Sequence, residues 1–543
     1  MRTSRKNPND TPTGGNTMKL EVARNLIAAA RLTRREFVQF AIAAGMTAAS
    51  ANVLFASAAQ AAPKQGGKFR VALGHGSSTD TLDPATYLDY YMGTVGWGSL
   101  GNGLTVFDEK GNVQPDLAES FEGSEKAARW AFKLRKGVEF HNGKTVSAED
   151  VVASIRHHMG DKSKSPVKAL LEQIAELKAD GDTVVFALKA GNADFPYILS
   201  DYHLPVMPAA ADGSADWESG IRTGAYQLVE YVPGVRTAMK RNPNYFGTAW
   251  FDEVEVLSIL DPAARTNALT SGEVDYIDRV DLKTLQFLQQ NPDVEIDQVS
   301  GYGHYTFPMN VTAAPFDNPD VRNAMKYAID RQEIIDKVLG GIGTPGNDNP
   351  IASSVKYAVD PQPAHTYDPE MAKSLLQKAG LTSLKVDLSV SEAAFAGAVD
   401  AALLYQASAA KAGIEINVVR ESNDGYWDNV WLKKPFVASF WHGRPTVDWF
   451  LTYAYAADSN QNEISWKNPR FNELLVEGRS ELDESKRAAI YAEAQQLLHD
   501  DGGQIVIAFP KFVSAHTKKV AHGDLIPGWD VDGMKIAQRW WMA

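Results

Sequence analysis

Cysteine is absent from the 543 residues of the chain. The absence excludes disulfides, iron–sulfur clusters, thiolate zinc sites and cysteine nucleophiles, because each of these needs a thiol side chain. It also excludes the lipid-modified N-terminal cysteine that tethers many exported proteins to a membrane. If this protein is exported, we expect it to diffuse freely.

Several catalytic motifs are missing as well. The sequence contains no His-Glu-x-x-His, no Gly-x-Ser-x-Gly, no Walker loop and no Gly-x-Gly-x-x-Gly that opens a helix. We therefore predict that the protein is not an enzyme and that it uses no cofactor and no metal site. A carbohydrate-active enzyme stays open as an alternative, because the separation of two catalytic carboxylates is a three-dimensional property.

An export signal is present in the first sixty residues. The run TRREFV at 33–38 places Arg34 and Arg35 in the twin-arginine form, ahead of an uncharged, alanine-rich stretch over 38–59. Small residues at 59 and 61 suit a signal peptidase, so we predict a signal peptide over 1–61 with cleavage after Ala61. The stretch is nearly long enough to span a bilayer, so an uncleaved anchor is the alternative. If the signal peptide is cleaved, we expect a soluble periplasmic protein that is exported by the twin-arginine translocase.

The remaining chain is acidic. The net charge of −13 becomes −18 without residues 1–61, which hold eight Lys or Arg and three Asp or Glu. The negative charge of this mature chain repels the phosphates of nucleic acids, so we expect no nucleic-acid partner.

The pattern beyond residue 66 is that of a soluble α/β protein, with strand-like runs such as KFRVAL at 68–73 between helices. Ser147 is predicted to cap a helix that has acids in its first turn. Further helices are predicted over 319–339, 367–380 and 479–500. No other segment is long and apolar enough to cross a bilayer.

Seven blocks of sequence carry a resemblance to a known family. They are WAFKLRKGVEFHNG at 130–143, SAEDVVASI at 147–155, RTGAY at 222–226, RNPNYF at 241–246, SGEVD at 271–275, PFDNPDVR at 315–322 with AIDR at 328–331, and YDPEMAK at 367–373. In content and order they resemble solute-binding protein family 5, the dipeptide, oligopeptide, nickel and opine-binding receptors of ABC transporters. Each block is also ordinary turn or helix-start chemistry.

The resemblance implies a two-lobed periplasmic binding protein of the α/β class with an extra inserted domain. It divides the chain into lobe I (66–108, 220–307 and 505–543), an inserted domain (109–219) and lobe II (308–504). The lobes would close on a small peptide-like or anionic ligand and deliver it, as a monomer, to the permease subunits of an ABC importer. A nickel or haem receptor of the same fold is the alternative.

One segment of lobe II bears on the ligand. In peptide-binding members of the family, an aspartate here holds the α-ammonium of the ligand, whereas SFWHGRPTVDWFL at 439–451 places Gly443 or Arg444 about there. A guanidinium would repel an ammonium and would pair with a carboxylate or phosphate. Asp448 could still bind a cation, which keeps a zwitterionic ligand open. The alternative is a surface ion pair between Arg444 and Asp448.

Other candidate ligand contacts are aromatic or polar residues in the segments expected to face the cleft. They are Tyr91, Asn102, Tyr302, His304, Tyr426, Trp427, Trp441 and His442. His304 and His442 could meet across the cleft, but two imidazoles alone are a thin metal site.

Overall fold

A computed structural model describes residues 63–87, 89–160, 163–282, 284–422, 426–459 and 461–543, without the side chains of Ala169, Trp427 and Asp428. The predicted signal residues Arg34, Arg35 and Ala61 lie outside the described residues. Within these ranges, none of the helices has the length and apolar character needed to span a bilayer.

The strands alternate with helices along the chain. In chain order the strands are β1 (Lys68–Leu73), β2 (Thr105–Phe107), β3 (Val113–Pro115), β4 (Ala118–Ser124), β5 (Arg129–Leu134), β6 (Ile174–Asp180), β7 (Thr183–Leu188), β8 (Tyr226–Val232), β9 (Arg236–Arg241), β10 (Glu253–Ser258), β11 (Tyr276–Ile277), β12 (Val294–Ser300), β13 (His304–Thr306), β14 (Gly343–Pro345), β15 (Leu384–Val390), β16 (Ile414–Arg420), β17 (Ser439–Trp441), β18 (Val506–Thr517), β19 (Val520–Ala521) and β20 (Trp541–Met542).

The helices are mostly short. They span Tyr90–Met92 with a π-helical continuation over Gly93–Trp97, Ala148–His157, Lys168–Leu171, Phe195–Ile198, Pro262–Thr270, Leu285–Gln289, Pro319–Tyr327, Arg331–Val338, Pro369–Lys378, Ala398–Ala410, Tyr426–Asn429, Val447–Tyr455, Pro469–Ser480, Glu484–Asp501 and Ile536–Arg539, and a 3₁₀ turn covers Pro84–Thr86. Residues 531–534 form a left-handed turn, with φ between 52° and 65°.

A ten-stranded sheet runs through the molecule in the order β17-β13-β18-β11-β1-β10-β9-β8, with β12 and β14 also paired to β18. We call the part that contains β1 and β8 to β12 the first half, and the part that contains β13 to β17 the second half. The twelve residues of β18 extend about 40 Å. Its first half pairs with β13 and β14, and its second half pairs with β12 and β11. Together with the chain between β12 and β13, β18 therefore connects the two halves.

A separate antiparallel sheet, β4-β5-β7-β6, packs against helix Ala148–His157. Its core contains Phe132, Phe186 and Phe195. Ser147 caps the helix as predicted: its side chain accepts a hydrogen bond from the Asp150 amide, and the Asp150 carboxylate accepts one from the Ser147 amide.

The second half contains the parallel pair β15-β16, joined by the crossover helix Ala398–Ala410. Here the prediction of one helix over 319–339 was wrong. The helix ends at Tyr327, and Asp330 starts the next by accepting a hydrogen bond from the Glu333 amide. The predicted helix over 479–500 likewise begins later, because Asp483 caps its N-terminus.

Two further contacts join the antiparallel sheet domain to the second half. The Arg487 guanidinium lies 2.7 Å from the Asp194 carboxylate, and both side chains are only 7% exposed. The Ala193 amide donates to the Arg479 carbonyl at 2.7 Å. These contacts hold residues from distant parts of the chain together.

Candidate functional site

The chain crosses between the two halves at Tyr302, between β12 and β13, and this residue positions two loops. A Cβ atom at position 443 would lie 2.1 Å from the Tyr302 carbonyl oxygen, and one at position 528 would lie 2.0 Å from its ring. Both positions are glycines with positive φ. The close approach places the residues that follow the two glycines, Arg444 and Trp529, beside the crossing.

Arg444 has a guanidinium without an acidic partner. Its Nη1 donates to the Gly443 carbonyl at 2.6 Å, and the group lies over the rings of Trp449 and Tyr453, at 5.7 and 5.1 Å from their centroids. No carboxylate of the described residues lies within 4.0 Å of it. Burial lowers the pKa of Arg444, but an arginine stays charged. The buried carboxylate of Asp201 attracts the guanidinium from beyond 4.0 Å, so no ion pair has to break before Arg444 binds an anion.

Asp448 is not the partner of Arg444. Its carboxylate accepts hydrogen bonds from Nε and Nη2 of Arg479, at 3.0 and 3.3 Å, and only 5% of the residue is exposed. A ligand cation would have to displace Arg479 to reach it. Contact between Asp448 and a ligand stays a prediction.

A second guanidinium, that of Arg279, comes from the loop after β11 in the first half. The residue has a positive φ of 47°, which is rare for a side chain of this size and marks a candidate functional position. The Arg265 guanidinium donates to its carbonyl at 3.1 Å. The Arg279 side chain is exposed, and no ion pair within 4.0 Å joins it to a described carboxylate. Its charge acts on two groups of the second half. Burial raises the pKa of Tyr305 and Arg279 opposes that rise, whereas desolvation lowers the pKa of His442 and Arg279 adds to that fall.

The charges of both arginines act on His442. Its imidazole is exposed and packs edge-on against Phe440, at 4.8 Å. Desolvation and then the charges of Arg444 and Arg279 lower its pKa, so the ring is neutral at pH 7 and can donate or accept a hydrogen bond. We call Arg279, His442 and Arg444 the cationic patch. It joins both halves and suits a carboxylate or phosphate.

Aromatic side chains lie next to the patch. Tyr202, from the antiparallel sheet domain, packs edge-on against Trp529 at 5.8 Å, and the charge of Arg444 acts on its hydroxyl group. Tyr90 packs edge-on against Phe512 at 6.1 Å. These rings supply apolar faces for the uncharged part of a ligand.

Two buried carboxyl groups lie on the first-half side. Burial raises the pKa values of Asp278 and Asp530, and each lies near Arg279. The Asp278 Oδ2 atom lies 3.7 Å from His75 Nε2 and has no hydrogen-bond partner among the described residues. A ligand ammonium beside Arg279 would meet these two carboxyls, although Oδ1 of Asp278 already lies 3.4 Å from Arg265 Nε.

The remaining predicted contacts are buried, and most of their polar groups bond within the protein. Tyr91 donates to the Val256 carbonyl, Asn102 to Asp116, Tyr426 to the Ala438 carbonyl, and Trp441 to Glu463. Tyr302 is also buried, and the Trp427 side chain lies outside the described residues. Ligand contact by these side chains stays a prediction. Sequence reasoning missed Arg279, Tyr202 and Trp529, because no local pattern marks them.

His304 is fully buried in apolar surroundings. Neither ring nitrogen has a hydrogen-bond partner among the described residues, and the ring packs edge-on against Phe450 at 5.6 Å. It shares a face of the sheet with Trp441, its partner in register, so the following residue, His442, points to the other face. Burial lowers the pKa of His304 to about 3.

Replacing His304 with phenylalanine is expected to reduce the loss of stability in mild acid. The pKa of His304 is lower in the folded protein than its value of about 6.5 in the unfolded chain, so stability is lost as the pH falls below about 6.5. At about pH 5 this single group costs on the order of 2 kcal/mol. Urea denaturation at pH 7.5 and at pH 5 should show that the variant loses less free energy of unfolding. An equal loss in both proteins would refute the assignment.

Comparison with known proteins gives a consistent result. Residues 112–463 match the model of the bacterial extracellular solute-binding proteins, family 5. The glutathione-binding protein GsiB of Pectobacterium atrosepticum is 26% identical over 469 residues, covering 83% of this chain and 91% of that protein. The dipeptide-binding protein of Escherichia coli K12 is 29% identical over 440 residues, covering 73% and 81%.

Solved structures show the same likeness. AgaA of A. tumefaciens R10, in complex with agropinic acid, superposes with a TM-score of 0.69 at 25% identity and covers 88% of this chain and 99% of that chain. DppA of Helicobacter pylori, in complex with the peptide STSA, has a TM-score of 0.68 at 25% identity with the same coverage.

Proposed function

The chain belongs to the bacterial extracellular solute-binding proteins of family 5, and on that premise we propose that it is the periplasmic receptor of an ABC importer for a small anionic, peptide-like or opine-like molecule. Its fold is the mixed α/β fold of the periplasmic binding proteins. The proposed division is lobe I (66–108, 220–307 and 505–543), the inserted domain (109–219) and lobe II (308–504).

The cationic patch is the observation that supports an anionic ligand. Arg279 comes from lobe I and Arg444 from lobe II, and neither has an ion-pair partner within 4.0 Å among the described residues. An anion that contacts both guanidiniums would be attracted by a charge from each lobe. A carboxylate ligand would therefore favour the closed arrangement of the lobes over an open one.

The ligands named for the relatives agree with this chemistry. Peptides carry a terminal carboxylate, and agropinic acid is named as an acid. The aromatic groups of Tyr90, Tyr202 and Trp529 would cover the rest of the ligand. The carboxyls of Asp278 and Asp530 would attract a ligand ammonium, which extends the proposal to a zwitterion.

Export and delivery complete the proposal. Residues 1–61 would direct the folded protein through the twin-arginine translocase and then be removed after Ala61. The mature chain would act in the periplasm as a monomer and meet the permease subunits of the importer. It would bind and release its ligand without chemical change, as a receptor and not as an enzyme.

Native mass spectrometry of the untagged protein, isolated from the periplasm without denaturation, tests the whole proposal. The expected spectrum contains a chain that begins at Ala62 and carries one small molecule with an acidic group. Denaturation should release that molecule for identification. A chain that retains residues 1–61, or a chain that arrives empty and binds neither peptides nor opines in calorimetry, would contradict it.

A further inference from the structure

Three side chains able to bind a metal ion meet at one end of the ten-stranded sheet. Asp297 lies on β12, His516 lies on β18 and His522 follows β19, and their candidate ligand atoms all lie within 4.8 Å of one another. His516 Nε2 is 3.4 Å from Asp297 Oδ2, and His522 Nε2 is 3.3 Å from Asp297 Oδ1. Ligands around a tetrahedral zinc ion, each about 2.0–2.1 Å from it, lie about 3.3 Å apart.

Strand pairing brings the first two together. In the antiparallel register of β12 and β18, Glu295 lies opposite His516. Asp297 is two residues further along β12, so its side chain projects from the same face. The chain then turns after Thr517 and returns as β19, which brings His522 to the same point with its ring centroid 5.4 Å from that of His516.

Both imidazoles are oriented as metal ligands require. The Nδ1 atom of His516 lies 3.1 Å from the Thr517 carbonyl oxygen, and that of His522 lies 2.7 Å from the Gly523 carbonyl oxygen. A carbonyl oxygen can only accept, so each Nδ1 carries a proton. In the neutral rings, each Nε2 therefore directs a lone pair toward Asp297, and a backbone carbonyl fixes this tautomer.

The Nε2 lone pair of His516 lacks a partner among the described residues. His516 is only 1% exposed, and its Nε2 and the Oδ2 of Asp297 have no hydrogen-bond partner among the described residues. The ring of Trp540 covers both imidazoles, with centroid distances of 4.9 Å to His516 and 4.3 Å to His522. Acceptor atoms directed at one point repel each other unless a cation lies between them.

We propose that Asp297, His516 and His522 bind one divalent transition-metal ion, with zinc as the preferred ion and water or Glu295 in the fourth position. The Glu295 carboxylate lies 3.8 Å from His516 Nε2. This site is separate from the proposed cleft, because His516 lies four residues, or about 13 Å, beyond Phe512 along β18. The ion would be a resident structural one, joining β12, β18 and the segment that follows β19.

Calorimetric titration with ZnCl2 of untagged, chelator-treated protein tests the proposal. The expected result is one zinc ion per chain, with a higher Tm in the loaded protein. His522→Ala and Asp297→Asn should each weaken zinc binding by about 100-fold or more, since even changes to groups that only orient a ligand cost about 10–100-fold. Both positions are partly exposed, so these variants avoid the packed His516.

His157→Gln is the matched control. His157 also lies beside a carboxylate, that of Asp83 at 2.7 Å, but it belongs to no group of three candidate ligands among the described residues. Zinc binding by this variant should equal that of the wild type. The proposal fails if the wild type binds no zinc, in which case the cluster is a protonated ion pair. It fails equally if His522→Ala and Asp297→Asn bind zinc unchanged, or if His157→Gln loses as much affinity as they do. None of these results depends on the ligand of the cleft.

Discussion

Replacing Arg444 with alanine is expected to weaken binding of a carboxylate ligand by about 30-fold or more, which corresponds to about 2 kcal/mol. The guanidinium is partly buried and without an acidic partner among the described residues, so its charge is available to the ligand. Removing it leaves the ligand carboxylate desolvated, and only Arg279 and His442 of the cationic patch remain to bind it. Calorimetry with the molecule released from the native protein gives the two dissociation constants.

Two further variants make the Arg444 experiment specific. Arg470→Ala removes another guanidinium, one that is exposed and already paired with Glu493 at 2.8 Å, and it should bind the ligand as the wild type does. Arg444→Lys keeps the charge but loses the planar pair of donors, so its affinity should fall between those of the wild type and Arg444→Ala. Unchanged affinity in Arg444→Ala would remove this residue from the site.

Replacing Arg487 with methionine is expected to lower the free energy of unfolding by about 3–5 kcal/mol. Methionine keeps much of the aliphatic packing against Tyr357 and Tyr491, but it leaves the Asp194 carboxylate buried without its partner. The Gly478 carbonyl also loses the hydrogen bond that it accepts from Arg487 Nε. Urea denaturation followed by tryptophan fluorescence measures the change.

The double variant Arg487→Met with Asp194→Asn separates the charge from the packing. It removes the unpaired carboxylate, so it should recover a large part of the stability that Arg487→Met loses. Lys337→Ala, which breaks an exposed pair with Glu333, should change stability by less than about 0.5 kcal/mol. If the double variant is no more stable than Arg487→Met, the buried charge is not the cause of the loss.

Local features of the fold could be predicted from sequence because their causes lie within a few residues. The Ser147 cap is one example, since Ser147 and Asp150 satisfy each other's amides across one turn. The helix break at Asp330 was missed because the apolar face of 319–339 continues across it. There the Asp330 side chain favours a new N-terminus over a continued helix.

The candidate site was predictable only in part. Arg444 was predicted because its segment departs from the pattern of the peptide-binding members of the family. Asp448 looked equally available, but its carboxylate is bound by Arg479, 31 residues away. Tyr91 looked like a cleft residue, yet its hydroxyl donates to Val256, which is 165 residues away. Arg279 was missed because the dihedral angles that aim its side chain leave no local pattern.

The sequence by itself determined the α/β class, the family and the positions of many caps and turns, because these depend on near neighbours and on ordered blocks. The tertiary structure alone decided which polar groups are already paired and which are free. Strand pairing joined Asp297 to His516, more than 200 residues away along the chain, and chain crossing brought the charges of Arg279 and Arg444 to act on the same imidazole, that of His442. Whether a charge can bind a ligand depends on such distant partners, since a paired group has no remaining capacity and an unpaired buried group has a free-energy cost that a ligand removes.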